Sequence, residues 1–266
     1  MALTTASCTK EIDIDYNDIE PIYVIQGEIT DNPARVLLTR SRNVDDPVKA
    51  TGVNDAEQVM LTDDQGRQEQ LVFGNDGYYH SPSGWKGETG HTYTLKVTIK
   101  GTQYVASSTM KPAVPLDSIG YVWLATAGMK MLIMQCHHTF PASDELAYTY
   151  VTVTKNGNFY RNHTDKQINP NEKHGITLVG CTTEKVMDED DPEKQDVILH
   201  EGDKVHCELW SIDENMYNYF VTLKASQQNA SVPVSNFTPR VTTVTGYFSA
   251  HHASTQDLTF SRSLIK

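Results

Sequence analysis

Cys8 follows Leu3-Thr4-Thr5-Ala6-Ser7 and precedes Lys10-Glu11-Ile12-Asp13. Ala6 and Ser7 suit a peptidase pocket that admits only short side chains, and the cysteine after them can supply the sulfur of a diacylglycerol thioether. The chemistry expected of Cys8 is lipid attachment. Thr5 stands where such signals carry Leu, and only seven residues precede Cys8, against an apolar run of about 7 to 15 in a complete signal peptide. The start is therefore expected to be trimmed or mis-called. The plain alternative is an ordinary cysteine in a loose terminus.

Histidines offer metal chemistry at His137-His138, His251-His252 and His206 beside Cys207. Neighbours on a strand point to opposite faces, so no adjacent pair can converge on one ion unless a bulge intervenes. A site would have to be assembled across segments, using His137 or His138 with His251 or His252, of which His137 and His251 are the candidates taken forward, and zinc-type ligand spacing is absent. No metal and no cofactor are expected. Nucleophilic chemistry needs a serine elbow or a cysteine held by a separate histidine; no GxSxG occurs, and His206 and Cys207 diverge on a strand. No catalytic residue is assigned. The run Asp188-Glu189-Asp190-Asp191-Pro192-Glu193 has oxygen ligands but lacks the alternation and central glycine of a calcium loop, and reads as a solvated connection. Tyr78, Tyr79 and Trp85, with Tyr217 or Tyr219, could stack on a sugar or peptide, or could instead close a core with the tyrosine hydroxyls at its rim.

These groups sit in a chain of 266 residues with 22 Lys and Arg against 34 Asp and Glu, a formal charge of −12. That balance opposes approach to phosphate backbones, so nucleic acid is not an expected partner. No run of about 18 apolar residues is present, and membrane attachment would have to come through the lipid. Cys136, Cys181 and Cys207 show no CxxC spacing. They read as small buried hydrophobes, with a Cys181 to Cys207 bridge the alternative in an oxidising envelope.

The elements that must position these residues are mostly strands. Alternating runs separated by turn clusters span 22–30, 34–41, 58–63, 68–73, 91–99 and 102–110, and Lys100-Gly101 predicts a tight hairpin. Gly84, Gly87 and Gly90 read as loop glycines, since no strand leads into them and no helix follows. Lys111-Pro112-Ala113-Val114-Pro115-Leu116-Asp117 breaks the pattern as a linker. Strands are expected again at 119–127, 130–137, 147–154, 176–179, 197–200, 203–210, 240–250 and 257–260. Ser211-Ile212-Asp213-Glu214 reads as a capping box, Ser211 accepting from the third helical amide, before one amphipathic helix near 212–228 with Tyr217, Phe220, Val221 and Lys224 in phase. The expected fold is all-β: a terminal segment 1–20, an N-terminal β-sandwich 21–112, a linker 113–118 and a C-terminal β-rich domain 119–266.

Several motifs in order carry a resemblance. Pro21 to Thr30, Gly77-Tyr78-Tyr79, Gly90 to Leu95 and Tyr104 to Met110 lie in the first half. Glu201 to Val205, Leu209 to Asp213, the aromatic helix and Gly246-Tyr247-Phe248-Ser249-Ala250 lie in the second. Together the chain resembles the Bacteroidota lipoprotein family called domain of unknown function 4249. Val241-Thr242-Thr243-Val244-Thr245 stands where that family tends to have a glycine-rich entry to its last motif.

The resemblance implies an envelope lipoprotein with an immunoglobulin-like or peptidase-regulatory-like first domain, lipid-anchored in the outer membrane and often encoded near its transporters. It implies no known reaction. Lys10-Glu11 with Asp13 and Asp15 is similar to a surface-export signal of that group, which favours the cell surface over the periplasmic face. Asp117-Ser118-Ile119 resembles its O-glycosylation motif at Ser118. The expected role is a non-enzymatic binding or accessory component, with an outer-membrane TonB-dependent transporter as partner. The alternatives are a surface hydrolase with its site at the domain interface, or a structural adhesin or pilus subunit.

Overall fold

A computed structural model describes residues 21–41, 51–126, 129–183, 198–226 and 234–266. In the first part of the chain β1 (Tyr23–Ile29), β2 (Arg35–Arg40), β3 (Gln58–Asp63), β4 (Gln68–Gln70), β5 (Val72–Phe73), β6 (Tyr78–His80), β7 (Thr92–Ile99) and β8 (Thr102–Thr109) follow one another. The second part contains β9 (Leu116–Thr126), β10 (Met129–Thr139), β11 (Tyr148–Lys155), β12 (Asn158–Lys166), β13 (His174–Thr183), β14 (Lys204–Ile212), helix α1 (Glu214–Ser226), β15 (Val244–Ala250) and β16 (His252–Thr259). The fold is all-β, of β-sandwich type, with one α-helix among the described residues.

Alternation makes the first sandwich. Tyr93, Leu95, Val97 and Ile99 are buried along β7, while Thr92, Thr94, Lys96 and Thr98 between them are half-exposed. The sheet β4-β3-β7-β8 thus turns an apolar face toward the sheet β15-β1-β2-β6-β5, where Ile25, Val36, Leu38 and Phe248 complete one core. Each such side chain contributes roughly 1.5–3 kcal/mol on burial. Gly27 lets the layers close, since a Cβ there would meet Leu95 Cδ2 at 2.7 Å and Phe248 Cδ2 at 3.1 Å. Lys100 and Gly101 both take positive φ, 49° and 73°, as a two-residue hairpin requires.

The second sandwich packs the sheet β13-β10-β9 against β12-β11-β14-β16, with Leu132, Met134, Val151, Val153, Val179, Leu209 and Phe260 among its core residues. Strand β12 fell outside the sequence expectation because Tyr160 is its one buried residue. The turn that makes it, Asn156-Gly157 with φ of 52° and 81°, is nevertheless a strong hairpin signal. Ile198 and Leu199 are buried but lie in irregular chain rather than a strand. The expected linker ends earlier than 118, because β9 already begins at Leu116.

The two sandwiches interlock. The boundary at 113–118 places everything beyond 119 in the second unit, yet β15 lies in the first, parallel to β1 with Tyr23 opposite Val244 and Ile29 opposite Ala250. Gly246 (φ +119°) permits that pairing, as any Cβ there would collide with the carbonyl of Ile25. After Ala250 the chain crosses at His251 into β16 of the second sandwich.

Candidate functional site

Helix α1 is docked at this crossing by Asp213. Its Oδ1 accepts from the Met216 amide at 2.8 Å, and its Oδ2 accepts from the Ser108 hydroxyl at 2.8 Å and the Thr109 amide at 2.7 Å. Asp213, rather than Ser211, is thus the N-cap. The Ser211 hydroxyl instead accepts from the Val114 amide at 2.7 Å, because Ser211 still belongs to β14. Ser108 Oγ in turn accepts from the Ala250 amide at 2.9 Å, so one polar chain ties β8, α1 and β15 together.

The buried face of α1 is Met216, Tyr219 and Phe220. Phe220 stacks on Tyr150 at 3.8 Å and 4°, and Tyr219 meets Tyr247 at 5.5 Å. Val221, expected on that face, is 43% exposed. With the apolar stripe turned inward, Asn215, Asn218, Thr222 and Ser226 face a groove of about 1270 Å³ between α1, the edge of β8 at Val105–Ser107 and residues 234–242.

The far wall of the groove is held in place by backbone bonding. Val105 and Thr238 exchange bonds of 2.9 and 2.8 Å, and the Asn236 amide accepts from and donates to the backbone of Phe248, both at 3.0 Å. Alternation turns the backbone of Ser107 to the same edge as Val105 and Thr109, toward the groove. The lining residues supply amides, hydroxyls, apolar surface and the guanidinium of Arg240. Such a surface can hydrogen-bond a polar ligand.

A second polar cluster lies on the outer face of β14 and β16. His206 Nε2 lies 3.0 Å from Glu208 and Nδ1 lies 2.8 Å from Asp257, while the Trp210 indole donates to Glu208 at 2.9 Å. The hydrogen bond to Glu208, then those from Asp257, outweigh partial burial and raise the imidazole pKa. Cys207, one residue on, points into the core, so the two side chains do diverge as strand alternation demands.

The aromatic candidates do not form a stacking platform. Tyr79 and Trp85 are 4% and 3% exposed and belong to the first core. The Tyr79 hydroxyl accepts from the Ala56 amide at 3.2 Å and bonds Asn54 at 3.1 Å. Trp85 packs on Tyr93 at 6.0 Å beneath the guanidinium of Arg67. Tyr78 is half-buried under Arg35. Burial won for Tyr79 and Trp85 because each fills an inward strand or loop position, while Tyr78, its neighbour on β6, faces the other side. Tyr217 packs on Tyr148, which leaves Tyr219 as the groove aromatic.

His137 is half-buried on β10 opposite Ile176 and Ser118. His251 is buried at the crossing, stacked on Trp210 at 4.2 Å and bonded to Ser249 at 3.0 Å. Among the described residues no three His, Cys, Asp or Glu side chains are grouped to hold a metal ion. Ser118 is exposed but paired within β9 rather than free in a linker. Cys8, Asp13, Asp15 and the acidic run 188–193 lie outside the described residues. No described helix is long and apolar enough to cross a membrane.

The groove residues were missed in the sequence because they are small polar side chains spread over β8, α1 and residues 234–242. The one available signal was the row Asn215, Asn218, Thr222, Ser226 at helical spacing. The sequence matches the family model described as domain of unknown function 4249 (DUF4249) over residues 9–257. No curated protein matches it.

Proposed function

Because the chain belongs to the domain of unknown function 4249 family, we propose that it is a non-enzymatic binding or accessory protein of the cell envelope. On this reading a lipid at Cys8 anchors it in the outer membrane, facing the cell surface, where it serves a TonB-dependent transporter by holding a polar, largely uncharged ligand in the groove between α1 and β8. The observation that carries the proposal is the groove itself: about 1270 Å³ lined by amides, hydroxyls, apolar surface and Arg240 at the junction of two interlocked sandwiches. Ligand sites favour junctions between domains. A lipid tether would keep the groove at the membrane without any spanning helix.

The test is a photo-crosslinking amino acid at Asn218 or Thr222 in envelope-expressed protein, with Asn158, outside the groove, as control. Adducts at Thr222 that vanish in Asn218→Ala with Arg240→Ala, and adducts at Asn218 that vanish in Arg240→Ala, support binding there. Equal labelling at Asn158 defeats it. Labelled palmitate tests the anchor separately: incorporation lost in Cys8→Ala supports it, and unlabelled wild-type protein rules it out.

A further inference from the structure

We propose that Cys136 and Cys207 form a disulfide bond joining the two sheets of the second sandwich, with Cys181 remaining a thiol. Cys136 lies on β10, the middle strand of its sheet, and Cys207 on β14, an inner strand of the facing sheet. Laterally Cys136 pairs with Thr177 and Ile119, and Cys207 with Val153 and Gln256. The two sulfurs meet only across the core, at 3.8 Å, with both residues fully buried.

Contact between the sheets at this point is what an inter-sheet bridge requires, and sandwich domains use the same placement. Bonding needs the sulfurs to approach to about 2.05 Å, an approach that side-chain rotation and a small sheet displacement can share. Cys181 is placed differently. Its thiol donates to the Val179 carbonyl at 3.6 Å, and in sequence it is 26 residues from Cys207, yet its contacts run to Tyr160 rather than to a bridge partner. The pairing suggested by spacing alone, Cys181 with Cys207, is therefore replaced by one that links positions 71 residues apart. A longer closed loop constrains the unfolded chain more.

Formation breaks two S–H bonds and makes one S–S bond. Two protons and two electrons pass to a disulfide oxidant, a thiol oxidase in the envelope or oxidised glutathione in vitro, which leaves as two thiols. The first step is thiolate attack giving a mixed disulfide. In the closed core the partner thiol and burial push the Cys136 pKa upward, so the attacking thiolate is suppressed after folding. Oxidation then belongs to the folding phase, before the sheets close. The envelope location proposed above supplies the oxidant in the cell; the pairing itself follows from the core.

The experiment refolds the full reduced chain in a glutathione redox buffer, alkylates with iodoacetamide and maps peptides. The expected result is a linked Cys136–Cys207 peptide with Cys181 alkylated, and a thermal midpoint lowered by about 5 °C or more on reduction. The same link should persist in Cys181→Ala. Refolded protein with Cys136 and Cys207 both alkylated, or any link through Cys181, overturns the inference. Should refolding fail, the same map on chain extracted from envelopes under iodoacetamide decides between the same outcomes. Because the in vitro map needs no lipid, its failure is separable from failure of palmitate labelling.

Discussion

Asp213 is the residue on which the junction turns. It is 5% exposed and accepts from one helical amide, one strand amide and one hydroxyl, so its loss strands three donors at once, two of them buried. Asp213→Ala is expected to cost about 3 kcal/mol, read as a shifted urea midpoint; a change below about 0.5 kcal/mol would show that the clamp is ornamental. His251 carries the pH dependence. Burial, then the His252 charge, lowers its pKa from 6.5 to about 3. The folded protein therefore holds this imidazole neutral while the unfolded chain binds a proton below 6.5. Stability from this group is fully present above 6.5 and falls by up to about 1.4 kcal/mol per pH unit as acid is added, until the folded-state pKa is reached. His251→Phe keeps a ring on Trp210 and should flatten that acid limb; an unchanged slope refutes the assignment. His206 works in the opposite sense, its contribution being lost as pH rises through its raised pKa.

At the scale of elements, β15 and α1 decide the architecture. β15 reaches its place only because Gly246 brings no Cβ against Ile25; Gly246→Ala is expected to prevent stable folding or to cost more than about 3 kcal/mol, combining backbone strain with a steric clash. Far-UV circular dichroism and a denaturant curve check this, and a wild-type profile would mean the parallel pairing is dispensable. Helix α1 gains its position from aromatic contact rather than from its own propensity, since Phe220 stacks face to face on Tyr150. Phe220→Ala should cost about 3 to 5 kcal/mol and expose α1 to limited proteolysis before the sheets. The existence of this helix was legible from its phase, but its inward face was not. Tyr217, Phe220 and Val221 were as good a stripe in sequence as Met216, Tyr219 and Phe220, and the strands outside the helix chose between them.

At the scale of the whole molecule, the chain crosses between the sandwiches three times, and the crossings at 110–115 and at His251 are the short ones. Polar bonds reach across both: Ser211 takes the Val114 amide at 2.7 Å, and the His251 amide donates to Ile29 at 3.1 Å. The groove exists because the segment 234–242 and β15 return to the first sandwich after α1 has packed on the second. Its width is therefore expected to depend on the junction, so Asp213→Ala should weaken crosslinking at Asn218 as well as stability. Groove labelling that survives a destabilised junction would argue against coupling between the two.

The sequence alone determined the β class, the first hairpin, the helix and the inward alternation along β7, because each follows from residue periods of two or between three and four within one short stretch. It also contained the Asn156-Gly157 turn, a local signal as plain as Lys100-Gly101. Only the tertiary structure decided that β15 pairs with β1, that Tyr79 and Trp85 are core residues, that Asp213 caps and clamps, and that Cys136 rather than Cys181 meets Cys207. Those outcomes depend on contacts between residues dozens to more than two hundred positions apart, where chain periodicity carries no phase information and packing of one sheet on another selects the partner.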